Sequence, residues 1–131
     1  MAYEPVLTGS TLTNVYSEHV FKIRCTFAAS SVVSYRSKDA TIAKTTTTTF
    51  TITLPKAYTE ITEFSYGWAR ATGTAALSVQ ITTNAVATAG TLVVTTVDTN
   101  SAGTAAAPAD GDVLYITLGV SCDTANAKYT G

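Results

Sequence analysis

Hydrophobic and polar residues alternate along most of this chain with a period of two, which is typical of β-strands that have one buried and one wetted face. The clearest case is residues 20–27, whose apolar side consists of Phe21, Ile23, Cys25 and Phe27. Helical periodicity is almost absent. The pattern therefore predicts an all-β fold.

Turn residues divide the alternating pattern into separate strands. Strong strands are predicted over residues 46–54, 63–71, 76–83, 91–97 and 113–122, and weaker ones over 12–16, 31–35 and 40–44. Pro55 ends the first of these because it lacks the N–H group that a strand ladder needs. A turn at Ala89 and Gly90 predicts a hairpin between its two neighbouring strands, and residues 58–62 carry a weak signal for a helical turn.

The last strand is preceded by the longest predicted loop, residues 98–109, and by a turn at Asp110 and Gly111. Its apolar face consists of Leu114, Ile116, Leu118, Val120 and Cys122. Because Val113 and Tyr115 add apolar character to the other face, we expect this strand to be central and covered on both sides.

The chain has 131 residues, which suits one domain with one core. We predict a single antiparallel β-sandwich or barrel of about seven or eight strands, with an N-terminal arm over residues 1–10, a core over 11–122 and a C-terminal tail over 123–131. Apolar residues make up 46% of the chain and charged residues 13%. This composition excludes intrinsic disorder, which combines low hydrophobicity with high charge.

Threonine makes up about a fifth of the chain, well above ordinary usage. Its β-branched side chain suits strands and wets a sheet without adding charge. From residue 71 to residue 109 the only charged side chain is Asp98. Such a stretch favours close contact with another protein, and the alternative is an interior segment with a hydroxyl-covered sheet.

The net charge is −1, and the eight Lys and Arg residues are scattered singly along the sequence. This argues against a nucleic-acid partner, because such proteins carry a basic stripe. The sequence has neither a secretory signal pattern nor an apolar run long enough for a membrane, so we expect synthesis in a cytoplasm. In that compartment Cys25 and Cys122 are predicted to be two buried free thiols, with a disulfide as the alternative.

Candidate chemistry is sparse. The single histidine, His19, lacks a nucleophile and an acid in triad spacing. Asp110 and Asp112 bracket Gly111, which favours a turn over a calcium loop. Glycine-rich phosphate loops do not occur in the sequence. We therefore predict no catalytic, cofactor or metal site, and a protein that is not an enzyme.

One aromatic group has three possible roles. Phe64, Tyr66, Trp68 and Arg70 share one side of a predicted strand. They suit a core face, an interface hot spot or a stacking platform for a ligand such as a sugar. The interface candidates are Tyr66, Trp68 and Arg70, together with Tyr3, Pro5 and Val6 of the predicted N-terminal arm.

Residues 77–120 run LSVQITTNAVATAGTLVVTTVDTNSAGTAAAPADGDVLYITLGV: a hairpin, a small-residue loop ending in Ala-Pro-Ala-Asp-Gly-Asp and a long apolar strand. This style resembles the small decoration, or cement, proteins on the heads of tailed bacteriophages. The resemblance implies a structural protein on the exterior of the virion capsid, bound to the major capsid protein. It also implies a homo-oligomer, with trimers favoured, and no active site.

Two other functions fit the same residues. One is a receptor- or glycan-binding module of a phage tail or adhesin, and the other is a subunit of a self-assembling shell or tube.

Overall fold

The computed structural model of the protein describes residues 18–28, 31–71, 76–100 and 103–122. These residues form nine β-strands and no helix: β1 Glu18–Ala28, β2 Ser31–Arg36, β3 Thr41–Lys44, β4 Thr49–Thr53, β5 Glu60–Ala69, β6 Leu77–Ala85, β7 Thr91–Asp98, β8 Thr104–Ala105 and β9 Val113–Ser121. The predicted all-β class is confirmed.

The strands form two antiparallel sheets that pack face to face as a sandwich. Sheet A has the order β2-β1-β9-β5, and sheet B has the order β3-β4-β7-β6. The short strand β8 pairs with β7 at Val97 and Asp98, beyond Thr95, which is the last residue of β7 that pairs with β4. Of the two architectures predicted, the sandwich is the one that forms.

Each sheet has two edge strands. Residues of β2 and β3 line one shared cleft, so β5 and β6 form the opposite edge of the sandwich. Both β5 and β6 contain a register shift, after Ile61 and after Ile81 respectively. Such bulges twist an edge and discourage further strands from adding to it.

The core lies between the sheets and consists of the apolar residues that the alternation predicts. All four predicted inward residues of β1 are buried, as are Phe50, Ile52 and Leu54. The two sheets meet at Phe27 and Phe50, whose ring centroids are 5.0 Å apart in an edge-to-face arrangement.

Three local predictions are wrong. The weak helical turn over residues 58–62 is extended chain that enters β5, because the Tyr58 and Thr59 amides bond to Val86 and Ser121 instead. The predicted loop over residues 98–109 contains the two-residue strand β8, which is one of the nine strands of the described ranges. β9 is central, as expected, but its outer face is covered only in part: Gly119 and Ser121 are buried, whereas Tyr115 is 45% exposed.

The two cysteines differ from each other. Cys25 is buried and Cys122 is exposed, and both are free thiols. The prediction of free thiols is confirmed, whereas the predicted burial of Cys122 is wrong because β9 ends at Ser121 and the next residue leaves the sandwich. Burial raises the pKa of the Cys25 thiol to about 12, so it is protonated and unreactive at neutral pH.

Candidate interaction surfaces

The outer face of sheet B is covered by hydroxyl groups and small side chains. We call it the threonine face and define it as the outward residues of β3, β4, β6 and β7: Thr41, Ala43, Thr49, Thr51, Thr53, Gln80, Thr83, Ala85, Thr91, Val93 and Thr95. None of these eleven positions carries an ionisable group. The charge-poor segment noted in the sequence therefore contributes about half of a wholly uncharged sheet surface.

Pairing across strands arranges these residues in rows. One row runs Thr41, Thr53 and Thr91, and the next runs Ala43, Thr51, Val93 and Thr83. Several hydroxyls on or beside the face bond to one another: Thr82 and Thr95 are 3.1 Å apart, Thr45 and Thr51 2.6 Å, and Thr46 and Thr49 2.7 Å. Because these hydroxyls already have partners, they lose less when another protein displaces water from them.

The outer face of sheet A has the opposite character. We call it the charged face and define it as the outward residues of β1, β2, β5 and β9, on the side of Arg24 and Tyr115. Its ionisable side chains besides Tyr115 are Glu18, Lys22, Arg24, Arg36, Glu60 and Glu63. The three cations lie towards one end of the strands and the three carboxylates towards the other.

At the basic end, Arg24 lies directly across from Arg36 on one side and from Tyr115 on the other. The Arg24 guanidinium carbon is 6.0 Å from the Tyr115 ring centroid. In the described ranges, Lys22, Arg24 and Arg36 form no ion pair. Sequence analysis missed this cluster because Arg36 joins Lys22 and Arg24 only through the pairing of β2 with β1. The alternation of Lys22 and Arg24 in β1 was its only local signal.

At the acidic end, Glu18 bridges the central strand. Its carboxylate accepts a hydrogen bond from the Thr62 hydroxyl of β5 at 2.5 Å. The bridge passes over Gly119, where an added Cβ would lie 2.6 Å from the Glu18 carboxylate oxygen. Gly119 thus provides the space in which β1 and β5 are tied together across β9.

The side chains of the predicted aromatic group lie in different environments in the structure. Phe64 and Trp68 pack against the core, as the core interpretation expects. Tyr66 lies opposite buried Ile116 and so faces inward, yet it is 41% exposed because β5 is an edge strand. Tyr3, Pro5 and Val6 lie outside the described residues.

Arg70 forms an ion pair with the buried carboxylate of Asp112. Its Nε donates to Asp112 Oδ2 at 2.8 Å, and the Asp112 side chain is fully buried. The amides of Ala71 and Ala109 also donate to that carboxylate, at 3.0 and 2.8 Å. With three donors on its two oxygens and Gly111 at φ 85°, Asp112 serves the turn that the sequence predicts.

The other side chains considered for catalysis or metal binding do not come together in one site in the described ranges. His19 is exposed, and its ring centroid is 5.8 Å from that of Tyr58. Burial is the main cause that raises the pKa of Tyr58. Within the ranges that the structure covers, no three potential metal ligands cluster. A cleft of about 450 Å³ between β2 and β3 is lined by residues that include Tyr35, Ile42 and Lys44, and it is open to solvent.

No helix in the described part of the chain is long and apolar enough to cross a membrane. In comparisons with known proteins, no family model matches this chain, and no curated protein or solved structure matches it significantly. The two sheet faces are therefore the features of this molecule on which a function can be proposed.

Proposed function

We propose that this chain is a capsid decoration protein, which binds the outer surface of an icosahedral phage head and stabilises the contacts between coat subunits. The observation that carries the proposal is the threonine face, which presents a whole sheet surface without an ionisable group. The resemblance of residues 77–120 to cement proteins agrees with it.

The physical reason is the cost of removing water. Burying an unpaired charge at an interface costs several kcal/mol, whereas hydroxyls that bond to one another can be covered at little cost. The threonine face can therefore lie flat on a partner without requiring a matching set of charges. This suits a protein that sits on many equivalent sites of a shell.

The size of the face indicates how it would bind. Four strands about 4.8 Å apart, each about five residues long at about 3.3 Å per residue, give roughly 300 Å². One partner in a stable interface buries about 800 Å². We therefore expect weak binding to an isolated coat subunit. Stable binding should occur only on the assembled shell, where further contacts contribute, as does the joining of several copies into an oligomer such as the trimers of cement proteins.

The test uses expanded heads of the phage whose genome encodes this chain. The purified protein should bind heads at a fixed ratio to coat protein in gradient sedimentation, and decorated heads should withstand heating better. The Thr51→Lys/Thr83→Lys variant places two charges in the centre of the threonine face and should lower affinity by about a hundredfold or more.

The matched control is Ala87→Lys/Thr88→Lys, which adds the same charge in the exposed turn after β6. It should bind like the wild type. Failure of the wild-type protein to bind, unchanged heat stability of the heads, or equal binding by both variants would contradict the proposal.

Two alternatives have distinct outcomes. A glycan-binding module built on Tyr66, Trp68 and Arg70 has only Tyr66 well exposed, since Trp68 packs on the core and Arg70 is bonded to Asp112. A self-assembling shell or tube subunit would form large particles when expressed alone, whereas a decoration protein would stay a small oligomer.

A further inference from the structure

Four residues form a single row across the charged face, one from each strand of sheet A. Arg36 pairs with Arg24, Arg24 pairs with Tyr115, and Tyr115 pairs with Gly67. The row spans three strand spacings, about 14 Å.

Gly67 makes one end of this row an open shelf. A Cβ added to Gly67 would meet no atom within 4 Å, so the Tyr115 ring does not lie over it. The ring leans the other way, towards the Arg24 guanidinium. The result is a floor of bare backbone at Gly67 with the exposed Tyr115 ring as its wall.

The other end of the row holds unbalanced positive charge. Like charges directly across a strand pair destabilise it, and Arg24 and Arg36 are such a pair, with Lys22 next to them on the same face. Because no carboxylate in the described ranges pairs with them, an external anion would relieve this repulsion. A guanidinium binds a carboxylate with two parallel hydrogen bonds.

The carboxylates on the same face restrict how an anionic ligand can lie. Glu60 and Glu63 occupy the far end of β5 and would repel an anionic chain running along the strands. A chain that crosses the strands, from Gly67 to Arg36, avoids them. It would place one ring on the shelf against Tyr115 and a carboxylate at the arginines.

We propose that this row is a binding site for an acidic saccharide, a chain of a few pyranose rings that carry carboxylates. A single-stranded nucleic acid fits less well, because stacking of successive bases needs several aromatic faces and a longer basic groove than three cations provide. The site does not depend on the proposed decoration role, although a protein lying on its threonine face would present this face outwards.

The experiment is isothermal titration of the full chain with two carboxylated saccharides, oligogalacturonate and oligosialic acid. The methyl ester of oligogalacturonate and single-stranded oligothymidylate serve as comparison ligands. We expect binding of at least one saccharide that weakens with added salt, together with little binding of the ester and weaker binding of oligothymidylate.

Variants test each part of the row. Arg24→Gln/Arg36→Gln should reduce affinity about tenfold or more. Gly67→Val should cause a similar loss while Tm stays the same or rises, because the new side chain occupies the shelf and suits a strand. The control Lys38→Gln/Lys44→Gln removes the same charge from exposed cations elsewhere and should not affect binding.

Four results would overturn the site: no binding of either saccharide, equal binding of the ester, tighter binding of oligothymidylate, or unchanged affinity in Gly67→Val. All are measured without phage heads, so they are independent of the decoration proposal.

Discussion

At the scale of single residues, Trp68 is the one side chain in the described ranges with a buried polar atom that lacks a hydrogen-bond partner. Its indole Nε1 is buried without a hydrogen-bond partner. Its ring nevertheless packs well, 5.9 Å from the Phe27 ring centroid and 5.9 Å from the Arg70 guanidinium carbon. The ring therefore contributes packing, and the N–H group contributes an uncompensated desolvation cost.

This contrast predicts that Trp68→Phe changes the free energy of unfolding by less than about 1 kcal/mol, because loss of the orphaned donor offsets the loss of volume. Trp68→Ala should cost about 3 kcal/mol or more, since it removes the packing as well. Urea unfolding followed by circular dichroism measures both, as Trp68 is the only tryptophan and cannot serve as the probe. A loss as large for Phe as for Ala would contradict this assignment.

Alternation predicted which residues point inward, but not how deeply each is covered. Phe21, Ile23 and Phe27 are buried as predicted because β1 lies inside its sheet. Tyr66 has the same inward orientation and is still exposed, because its strand is an edge. Depth depends on strand order, which a local pattern does not contain.

At the scale of elements, the turn between β6 and β7 shows how tightly connections pack. Gly90 has φ 69°, and its carbonyl accepts a hydrogen bond from the Leu54 amide at 2.8 Å. An added Cβ would lie 2.6 Å from the Lys56 carbonyl oxygen. The turn that the sequence predicts thus needs glycine for both its conformation and its close approach to the chain after β4.

Gly90→Ala should therefore lower the free energy of unfolding by about 2–4 kcal/mol, which combines backbone strain with a clash against main-chain atoms. Gly103→Ala is the matched control, because Gly103 has φ 79° with open space around it. It should cost only about 1 kcal/mol. Equal losses in thermal or urea unfolding would show that the clash with Lys56 is relieved by a small shift.

Strand signals identified most elements, including the hairpin and the weak strands that became β2 and β3. The expected helical turn over residues 58–62 failed for a different reason. The amide of Tyr58 bonds to Val86, and that of Thr59 to Ser121, both far away in sequence. Local propensity cannot anticipate hydrogen bonds that only the assembled sandwich provides.

At the scale of the whole molecule, both surfaces arise from pairings between distant parts of the chain. β1 pairs with β9, so that Arg24 lies across from Tyr115, and β4 pairs with β7, so that Thr53 lies across from Thr91. Composition and the charge-poor segment over residues 71–109 predicted an uncharged sheet surface in general terms. The basic row could not be predicted, because single strands give no information about their neighbours.

The sandwich as a whole also determines the response of this protein to alkaline pH. Burial raises the pKa of the Cys25 thiol from 9.0 to about 12. Since the folded state holds this proton more tightly than the unfolded state does, its stabilising effect is complete below pH 9 and is lost as pH rises from 9 towards 12. The free energy of unfolding should fall by about 1.4 kcal/mol per pH unit in that window from this group alone.

The measurement compares two proteins, Cys122→Ala and Cys25→Ala/Cys122→Ala, by urea unfolding between about pH 8 and pH 10.5, a range that brackets the onset of the decline. Both lack the exposed thiol, so intermolecular disulfides cannot interfere, and every other titrating group is common to both. The truncation at position 25 lowers stability by a constant amount, but only the protein that retains Cys25 should show the additional decline above pH 9. Parallel pH profiles would mean that the Cys25 thiolate is tolerated inside the sandwich, which its complete burial between the sheets argues against.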